Sequence, residues 1–314
     1  MTVGARKADP KLHHFKALVE VVDSGGIRAA ARRLGVTQAA LAKRMQALEE
    51  AAGQPLLIHR HGGVTPTEAG EALLRHARFI LRKLTSLEAE LAMLKGEPGG
   101  RVAVSVTPAI AGKRLHRVVA AFRADHPGIR LVLGQSTTGV ALAGLRDGSR
   151  DLAVIDEPGE LDAQLAAHPL AAIAQVPVVR TDHPILRHPT AEALSRLQWI
   201  KSRMPDGLEA GRLRAAFRAA GVSPPEQIID CDPLIAMALV GESDAVALVP
   251  ESSLPELVAG GLAPVRAPGL HLPSRRHALV ALSGVALTAP AASFRECLLQ
   301  VYGAAGNQVY PRWE

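Results

Sequence analysis

The sequence predicts a three-part chain: a small all-helical head, one long helix, and a larger α/β body. Three observations carry that prediction. All of the net positive charge lies in the first 96 of 314 residues. An apolar seam stepping by three and four residues runs from Leu73 to Leu94, and beyond Arg101 strand-like runs alternate with helical ones. With 48% apolar and 21% charged side chains, the chain can build two or three globular cores and is too apolar for disorder.

The head reads as three short helices punctuated by glycine. Leu12 to Val22 stops at Ser24-Gly25-Gly26, Ile27 to Leu34 at Gly35, and Thr37 to Ala52 at Gly53, each glycine being a natural helix stop. Ala31, Gly35 and Leu41 fall at the A-x3-G-x5-L spacing of a helix-turn-helix, although three helices packed as a generic bundle meet the same spacing. By 3.6-residue periodicity Leu41, Met45 and Leu48 share a buried face of the third helix. Its opposite face then carries Gln38, Ala39, Ala42, Lys43 and Gln46, with Thr37 as N-cap. Residues 1–96 hold 15 Lys/Arg against 9 Asp/Glu, whereas the remainder holds 21 of each. A compact basic head on a neutral body suits a polyanion, a solvated basic face being the plain alternative. Aromatic residues make up only 3%, too few for base-stacking platforms, so duplex DNA is the polyanion expected.

In the long helix Leu73, Ala77, Ile80, Leu84, Leu87, Leu91 and Leu94 form an a/d heptad seam, without Gly or Pro between Glu71 and Lys95. A buried stripe of an ordinary helix would share the pattern, but a helix this long and unbroken predicts an exposed rod that pairs with a second copy. Gly96-Glu97-Pro98-Gly99-Gly100 then reads as a hinge.

The body alternates RVAVSVT, AGKRLHRVVAAFRADHP, IRLVLGQ, GVALAGLRDGS and DLAVI, and later VPVVR, Trp199-Ile200, AVALVP and HALVAL. This is the texture of mostly parallel sheets covered by helices. The charge-free stretches 163–179 and 277–294 contain prolines or glycine and read as core strands and helix starts rather than membrane spans. MTVGARKADPKLHHF has no apolar run fit for a signal peptide, so a cytoplasmic chain without membrane attachment is expected. Cys231 and Cys297 are too few for a disulfide framework, and Cys231 reads as a small buried apolar residue. Hydrolase, zincin, Walker and dinucleotide fingerprints are all missing, so neither an enzyme nor a bound cofactor is expected. His59 and His61 read as a solvated loop rather than a metal pair.

Two places share one design: Thr107-Pro108 follows RVAVSV and Asp232-Pro233 follows QIIDC, each an N-cap before proline at a helix start. Ser136, Thr137 and Thr138 before Gly139, and Ser202 after Lys201, are further polar groups at strand ends. Helix N-termini at the carboxyl ends of strands suit a small anion, so a small organic acid held by Thr107, Pro108, Thr137, Thr138, Ser202 and Asp232 is the ligand expected.

From Phe15 through Gly70 the sequence resembles the winged helix-turn-helix of the LysR-type transcriptional regulators, in the AA..LGVTQAAL core, the LE..AG..LL..R passage and the closing T-x-A-G at Thr67 to Gly70. The segment VVRTDHPI at Val178 to Ile185 also resembles the family's R-x-x-H-P-L run. The resemblance implies DNA contacts at Thr37, Gln38, Ala39, Ala42 and Lys43, and a wing arginine at Arg60. It also implies a two-subdomain effector domain similar to periplasmic solute-binding proteins, and assembly as a homodimer or homotetramer, with RNA polymerase a further candidate partner. The expected boundaries are 1–66 for the head, 67–96 for the linker helix and hinge, and 97–314 for the effector domain. That domain divides into subdomain I at about 101–163 and 268–300 and subdomain II at about 164–267. Three departures stand out: Gly25-Gly26 for Gly-Ser, Ala42 for Ser, and Leu56-Leu57 for Leu-Phe. The first and last spare the fold, whereas Ala42 removes a hydroxyl from the DNA-facing surface.

Overall fold

In the computed structural model of this chain, residues 10–60, 63–95, 99–107, 110, 112–156, 159–202 and 208–303 are described. The chain forms two compact units, residues 1–101 with 142–150 and residues 102–141 with 151–314.

The head comprises α1 (Leu12–Asp23), α2 (Ile27–Leu34), α3 (Gln38–Ala52), the strands β1 (Leu57–Arg60) and β2 (Gly63–Pro66), and the start of α4 (Glu68–Leu94). Both α2 and α3 end where a glycine turns left-handed, Gly35 at φ 65° and Gly53 at φ 71°, a conformation that costs any residue with a Cβ. Thr37 starts α3 by accepting a hydrogen bond from the Ala40 N–H at 3.2 Å. The core gathers Leu18 and Val21 of α1, Leu41, Met45 and Leu48 of α3, Leu56, and Leu74 of α4. Each contributes roughly 1.5–3 kcal/mol by leaving water.

The residues that carried the family resemblance turn out to be the fastenings of this unit. The Glu49 carboxylate accepts the N–H groups of Leu56 and Leu57 at 2.8 and 3.3 Å, tying the end of α3 to the first wing strand. Thr67 donates to the Pro55 carbonyl at 2.9 Å and accepts from the Gly70 N–H at 3.0 Å, starting α4. A Cβ on Gly70 would sit 2.0 Å from the Leu56 carbonyl oxygen, so only glycine lets α4 pass this close. The two wing strands pair antiparallel, from Leu57 with Pro66 to Arg60 with Gly63, and Val64 donates to the Gly25 carbonyl at 3.2 Å.

Helix α4 divides the expected seam. Ala77 is fully buried within the single chain, and Leu73 packs, partly buried, against the head core. Helix α1 packs against α4. Farther on, Ile80, Leu87 and Leu91 are 41%, 50% and 49% exposed, and Leu84 is half-buried. The Leu94 side chain, and the hinge residues Gly96 to Pro98, lie outside the described residues.

The body runs β3 (Arg101–Val106), α5 (Lys113–Asp125), β4 (Arg130–Gln135), α6 (Thr138–Arg146), β5 (Leu152–Asp156), β6 (Leu165–Ile173), β7 (Gln175–Arg180), α7 (Ala191–Ser195), β8 (Trp199–Ser202), α8 (Leu208–Ala219), β9 (Ile228–Cys231), α9 (Pro233–Gly241), β10 (Val246–Pro250), α10 (Leu254–Ala259), β11 (Leu262–Pro264), β12 (Arg275–Leu282) and α11 (Ala289–Tyr302). Two five-stranded sheets result, ordered β4-β3-β5-β12-β6 and β11-β7-β10-β8-β9. Strands β3 and β5 are parallel, as are β8 with β9 and β8 with β10. The sheets are nonetheless mixed rather than mostly parallel. Strand β12 runs antiparallel to β5 and β6, and β7 antiparallel to β10 and β11. These strands are entered by direct passages between the sheets, which need no helical crossover.

One expected boundary shifts. Strand β6 pairs with β12 along Leu165 to Ile173, so residues 164–173 belong to the first sheet, and the chain passes to the second at Ala174. The charge-free run had concealed two strands, β6 and β7, separated by one residue.

Apolar clusters cover both faces of the second sheet, Ile200, Ala236 and Val240 on one and Trp199, Leu213 and Phe217 on the other. The Trp199 indole is fixed by donating to the Leu194 carbonyl at 2.8 Å. Beside the first sheet, α5 and α11 pack together through the edge-to-face pair Phe122 and Phe294, 5.2 Å apart. Among the described residues no helix is long and apolar enough to cross a membrane.

Candidate nucleic-acid interface and effector site

Packing fixes the orientation of α3. Because Leu41, Met45 and Leu48 point into the head core, Thr37, Gln38, Ala39, Ala42, Lys43 and Gln46 are left exposed on the other side. Gln38, Ala39, Ala42 and Lys43 thus form one exposed strip at the amino end of the helix, where the Gln38 carboxamide and the Lys43 ammonium can meet base edges and phosphates. The Gln46 amide instead donates to Glu50 at 2.9 Å, which occupies it within the helix. Arg60 ends β1 and is exposed, on a wing anchored to the α1–α2 turn. His61 lies outside the described residues.

In the body, the structure gathers some of the expected ligand residues and adds others. Thr107 is buried at the end of β3, and its hydroxyl donates to Asp156 Oδ2 at 2.9 Å. Thr138, the first residue of α6, donates to the Asp156 carbonyl at 3.4 Å. From β12, Arg275 Nη1 lies 3.6 Å from Asp156 Oδ2, and His277 Nε2 lies 2.9 Å from Asp156 Oδ1. The His277 and Asp156 atoms lie close without a well-formed hydrogen bond. Among the described residues, Asp156 Oδ1, both ring nitrogens and the Ser136 hydroxyl have no hydrogen-bond partner. Burial alone would push the Asp156 carboxyl up. The contact with His277 and its charge, the Thr107 hydroxyl and the Arg275 guanidinium outweigh burial and hold it below its ordinary value, so it is ionised at neutral pH.

The Thr107 hydroxyl, expected to meet a ligand carboxylate, donates to Asp156 in this structure. Thr137 is exposed just before α6, and Pro108 lies outside the described residues. Ser202 and Asp232 lie at the carboxyl edge of the other sheet, where Ser202 pairs in register with Cys231; the Ser202 side chain is not among those described. Asp232 precedes α9 without a side-chain capping bond, so its exposed charge is not absorbed by the helix. Lys201, the residue before Ser202, is buried and ion-paired with Asp230. The Cys231 thiol is pushed up by burial and by Asp232 and Asp230, which disfavours a reactive thiolate.

Residues 12–71 match the family model described as the bacterial regulatory helix-turn-helix protein of the lysR family, and residues 95–303 match the LysR substrate binding domain. The chain belongs to the LysR family of transcriptional regulators. It is similar to the HTH-type transcriptional regulator GbpR of Azospirillum brasilense, 33% identical over 246 residues that cover 76% of this chain and 71% of the relative. It is also similar to the SDS degradation transcriptional activation protein of a Pseudomonas species, at 31% identity over 92% of this chain and 94% of that protein. Among solved structures, CbnR superposes with a TM-score of 0.66 at 22% identity, over 93% of this chain and 99% of that one. ArgP from Mycobacterium tuberculosis gives 0.67 at 22%, over 92% and 96%. This LysR-type regulator thus joins a DNA-binding head to an effector-responsive α/β body.

Sequence reasoning missed the cluster that Asp156, Arg275 and His277 form beside Thr107 and Thr138. The signal was faint: a single carboxylate closes the apolar run LAVID, and only the pairing of β12 beside β5 brings His277, about 120 positions later, next to it. The VVRTDHPI motif, by contrast, proves structural. Arg180 bridges Asp182 and Asp244, and His183 Nδ1 accepts the Ile185 N–H at 3.0 Å, fastening the chain after β7.

Proposed function

We propose that this regulator reads duplex DNA with the exposed strip Thr37, Gln38, Ala39, Ala42 and Lys43, and grips the backbone with Arg60. The observation that carries this reading is the orientation of α3, whose apolar side is consumed by the head core. Gln38 is the base reader, because a carboxamide bonds adenine in two places, while Lys43 and Arg60 supply charge to phosphates. Ala42 contributes only a methyl, which fits against a thymine methyl.

The chain acts in the cytoplasm as a regulator and not as an enzyme. Its small-molecule effector sits at the carboxyl edges of the body's sheets, with Thr138, Thr137 and the Asp156 cluster on one side and Ser202 and Asp232 on the other. Two copies pair through Ile80, Leu84, Leu87 and Leu91 of α4. A second contact, which makes a homotetramer of two dimers, uses α9, where Leu234 is 84% exposed beside Ile235 and Leu239, against Val140 of α6 on another copy. A helix so apolar and yet uncovered is stabilised by a partner surface. Fluorescence anisotropy with a bound promoter fragment tests the reading. Gln38→Ala should weaken the cognate fragment by about 1–3 kcal/mol while sparing random duplex, and equal losses on both would remove Gln38 from base readout.

A further inference from the structure

We propose that a small multivalent phosphate anion, such as pyrophosphate or the triphosphate of a nucleotide, binds where α4 meets the loop after α6, held by the guanidinium groups of Arg82 and Arg101. Every residue that builds this site lies in the compact unit of residues 1–101 and 142–150. It uses no residue of the DNA-facing strip or of the Asp156 cluster.

The loop is drawn against α4 at Gly148, which turns left-handed at φ 72°. A Cβ there would sit 3.1 Å from Phe79 Cδ2 and 3.6 Å from Arg82 Cδ, so the bare backbone lies directly against these two side chains. One residue on, the Ser149 carbonyl accepts from two guanidinium groups at once, Arg101 Nη2 at 2.8 Å and Arg150 Nη1 at 3.1 Å. The Lys83 ammonium stands over the Phe79 ring, 5.8 Å from its centre. Four cationic side chains thus gather around residues 148 and 149, from α4, from the start of β3 and from the loop itself.

Opposite charge does not balance them. The loop carries two carboxylates, Asp147 and Asp151, and both are engaged by backbone: Asp147 Oδ1 accepts the Ser149 N–H at 2.7 Å, and Asp151 Oδ2 the Ala103 N–H at 2.8 Å. Arg78, one turn before Arg82, is ion-paired with Asp23 and adds no net charge. Arg150 has other partners and contributes charge rather than donors. Arg82 is half-buried and, among the described residues, makes no hydrogen bond or ion pair. Burial pushes its guanidinium down from its ordinary value; Asp147 opposes the shift, and Arg101, Arg78 and Arg150 reinforce it. A guanidinium stays protonated even so, so like charges are crowded together while donors go unspent. Arg101 gives Ser149 one of its five N–H groups. The planar fork of a guanidinium matches phosphate oxygens two at a time, and several cations at one place favour an anion of several charges over a single carboxylate.

Calorimetric titration of the full-length chain with pyrophosphate at constant ionic strength, with thermal shift alongside, tests the site. Citrate and acetate are the multivalent and monovalent comparators. Pyrophosphate should bind and raise the unfolding midpoint, ahead of citrate, with acetate silent. Arg82→Gln and Arg101→Gln should each weaken pyrophosphate about 10- to 100-fold, the worth of a charged hydrogen-bonding group. Arg82→Lys keeps the charge without the fork and should fall between. Arg218→Gln, at an exposed position of α8, should change nothing. Lys43 and Arg60 form a rival polyanion site, so the double variant Lys43→Ala/Arg60→Ala is titrated as well and should bind pyrophosphate as the wild type does. Circular dichroism confirms that the variants fold. Loss of binding in the double variant, with Arg82→Gln and Arg101→Gln unaffected, assigns the anion to the DNA-reading surface and overturns the inference. A weaker, less salt-dependent grip of Arg82→Gln on random duplex makes the junction part of the DNA footprint and overturns it too. So does acetate bound as tightly as pyrophosphate, or a wild type that binds no pyrophosphate.

Discussion

Replacing Leu87 by lysine is the most informative perturbation of the assembly. Fully burying a leucine or isoleucine is worth roughly 1.5–3 kcal/mol. Ile80, Leu87 and Leu91 are 41–50% exposed in the single chain, so each retains about half of that, close to 1 kcal/mol, to gain from a partner. Across a two-fold axis the six side chains supply about 6 kcal/mol before the cost of association. Leu87→Lys removes about 2 kcal/mol of it, one for each copy, and adds the cost of desolvating two like charges near the axis. A total loss of about 4 kcal/mol is expected, close to a thousandfold rise in the dimer dissociation constant. Sedimentation velocity over a concentration series reads that constant directly. Leu74→Ala is the contrast: Leu74 lies in the head core, so it should lower head stability by about 2–5 kcal/mol and leave self-association alone. An unchanged dissociation constant for Leu87→Lys would refute the argument and make the upper seam an ordinary solvent-facing stripe.

The remaining predictions concern the head, the body and pH. Arg60→Ala should weaken cognate and random duplex alike and reduce the salt dependence of binding by about one counterion, measured by anisotropy at several salt concentrations. Thr107→Val should cost the fold about 1–3 kcal/mol, because Asp156 loses a buried donor, in chemical denaturation followed by circular dichroism. The Asp156 carboxyl is depressed in the folded chain, so its contribution to stability is present above the unfolded carboxylate value near 4 and is lost as pH falls through the lower folded value. Asp156→Asn should therefore destabilise the chain at pH 7 and begin to converge on the wild type as pH falls below about 4, and parallel stability curves at all pH values would contradict this. Leu234→Glu should reduce the largest assembly seen by sedimentation to a dimer without altering Leu87-dependent pairing.

The head was the most legible part of the sequence, because its rules are local. Glycine stops, a threonine cap and a 3.6-residue period decide where three helices begin, end and face, and the structure places Leu41, Met45 and Leu48 inward accordingly. The seam was legible as a pattern but not as a division of labour, since only tertiary packing shows that Ala77 is buried within the chain while Leu87 is left bare. The body was legible as alternating strands and helices, yet its strand directions were not. A strand such as β12 reads the same in the sequence whether it runs parallel or antiparallel to β5. The candidate effector edge was least legible for the same reason. Thr107 and Thr138 announce themselves as polar groups at strand and helix ends, but Asp156 and His277 become neighbours only through a register that joins residues far apart in the chain.

The central claim, that α3 reads DNA through Gln38, is tested most directly by selecting bound duplexes from a random pool with the wild type and with Gln38→Ala, at matched salt. The account predicts a two-fold symmetric motif for the wild type, and for Gln38→Ala the same motif with its preference relaxed at one base position in each half-site. An identical motif from both proteins, or no motif from the wild type, would contradict it.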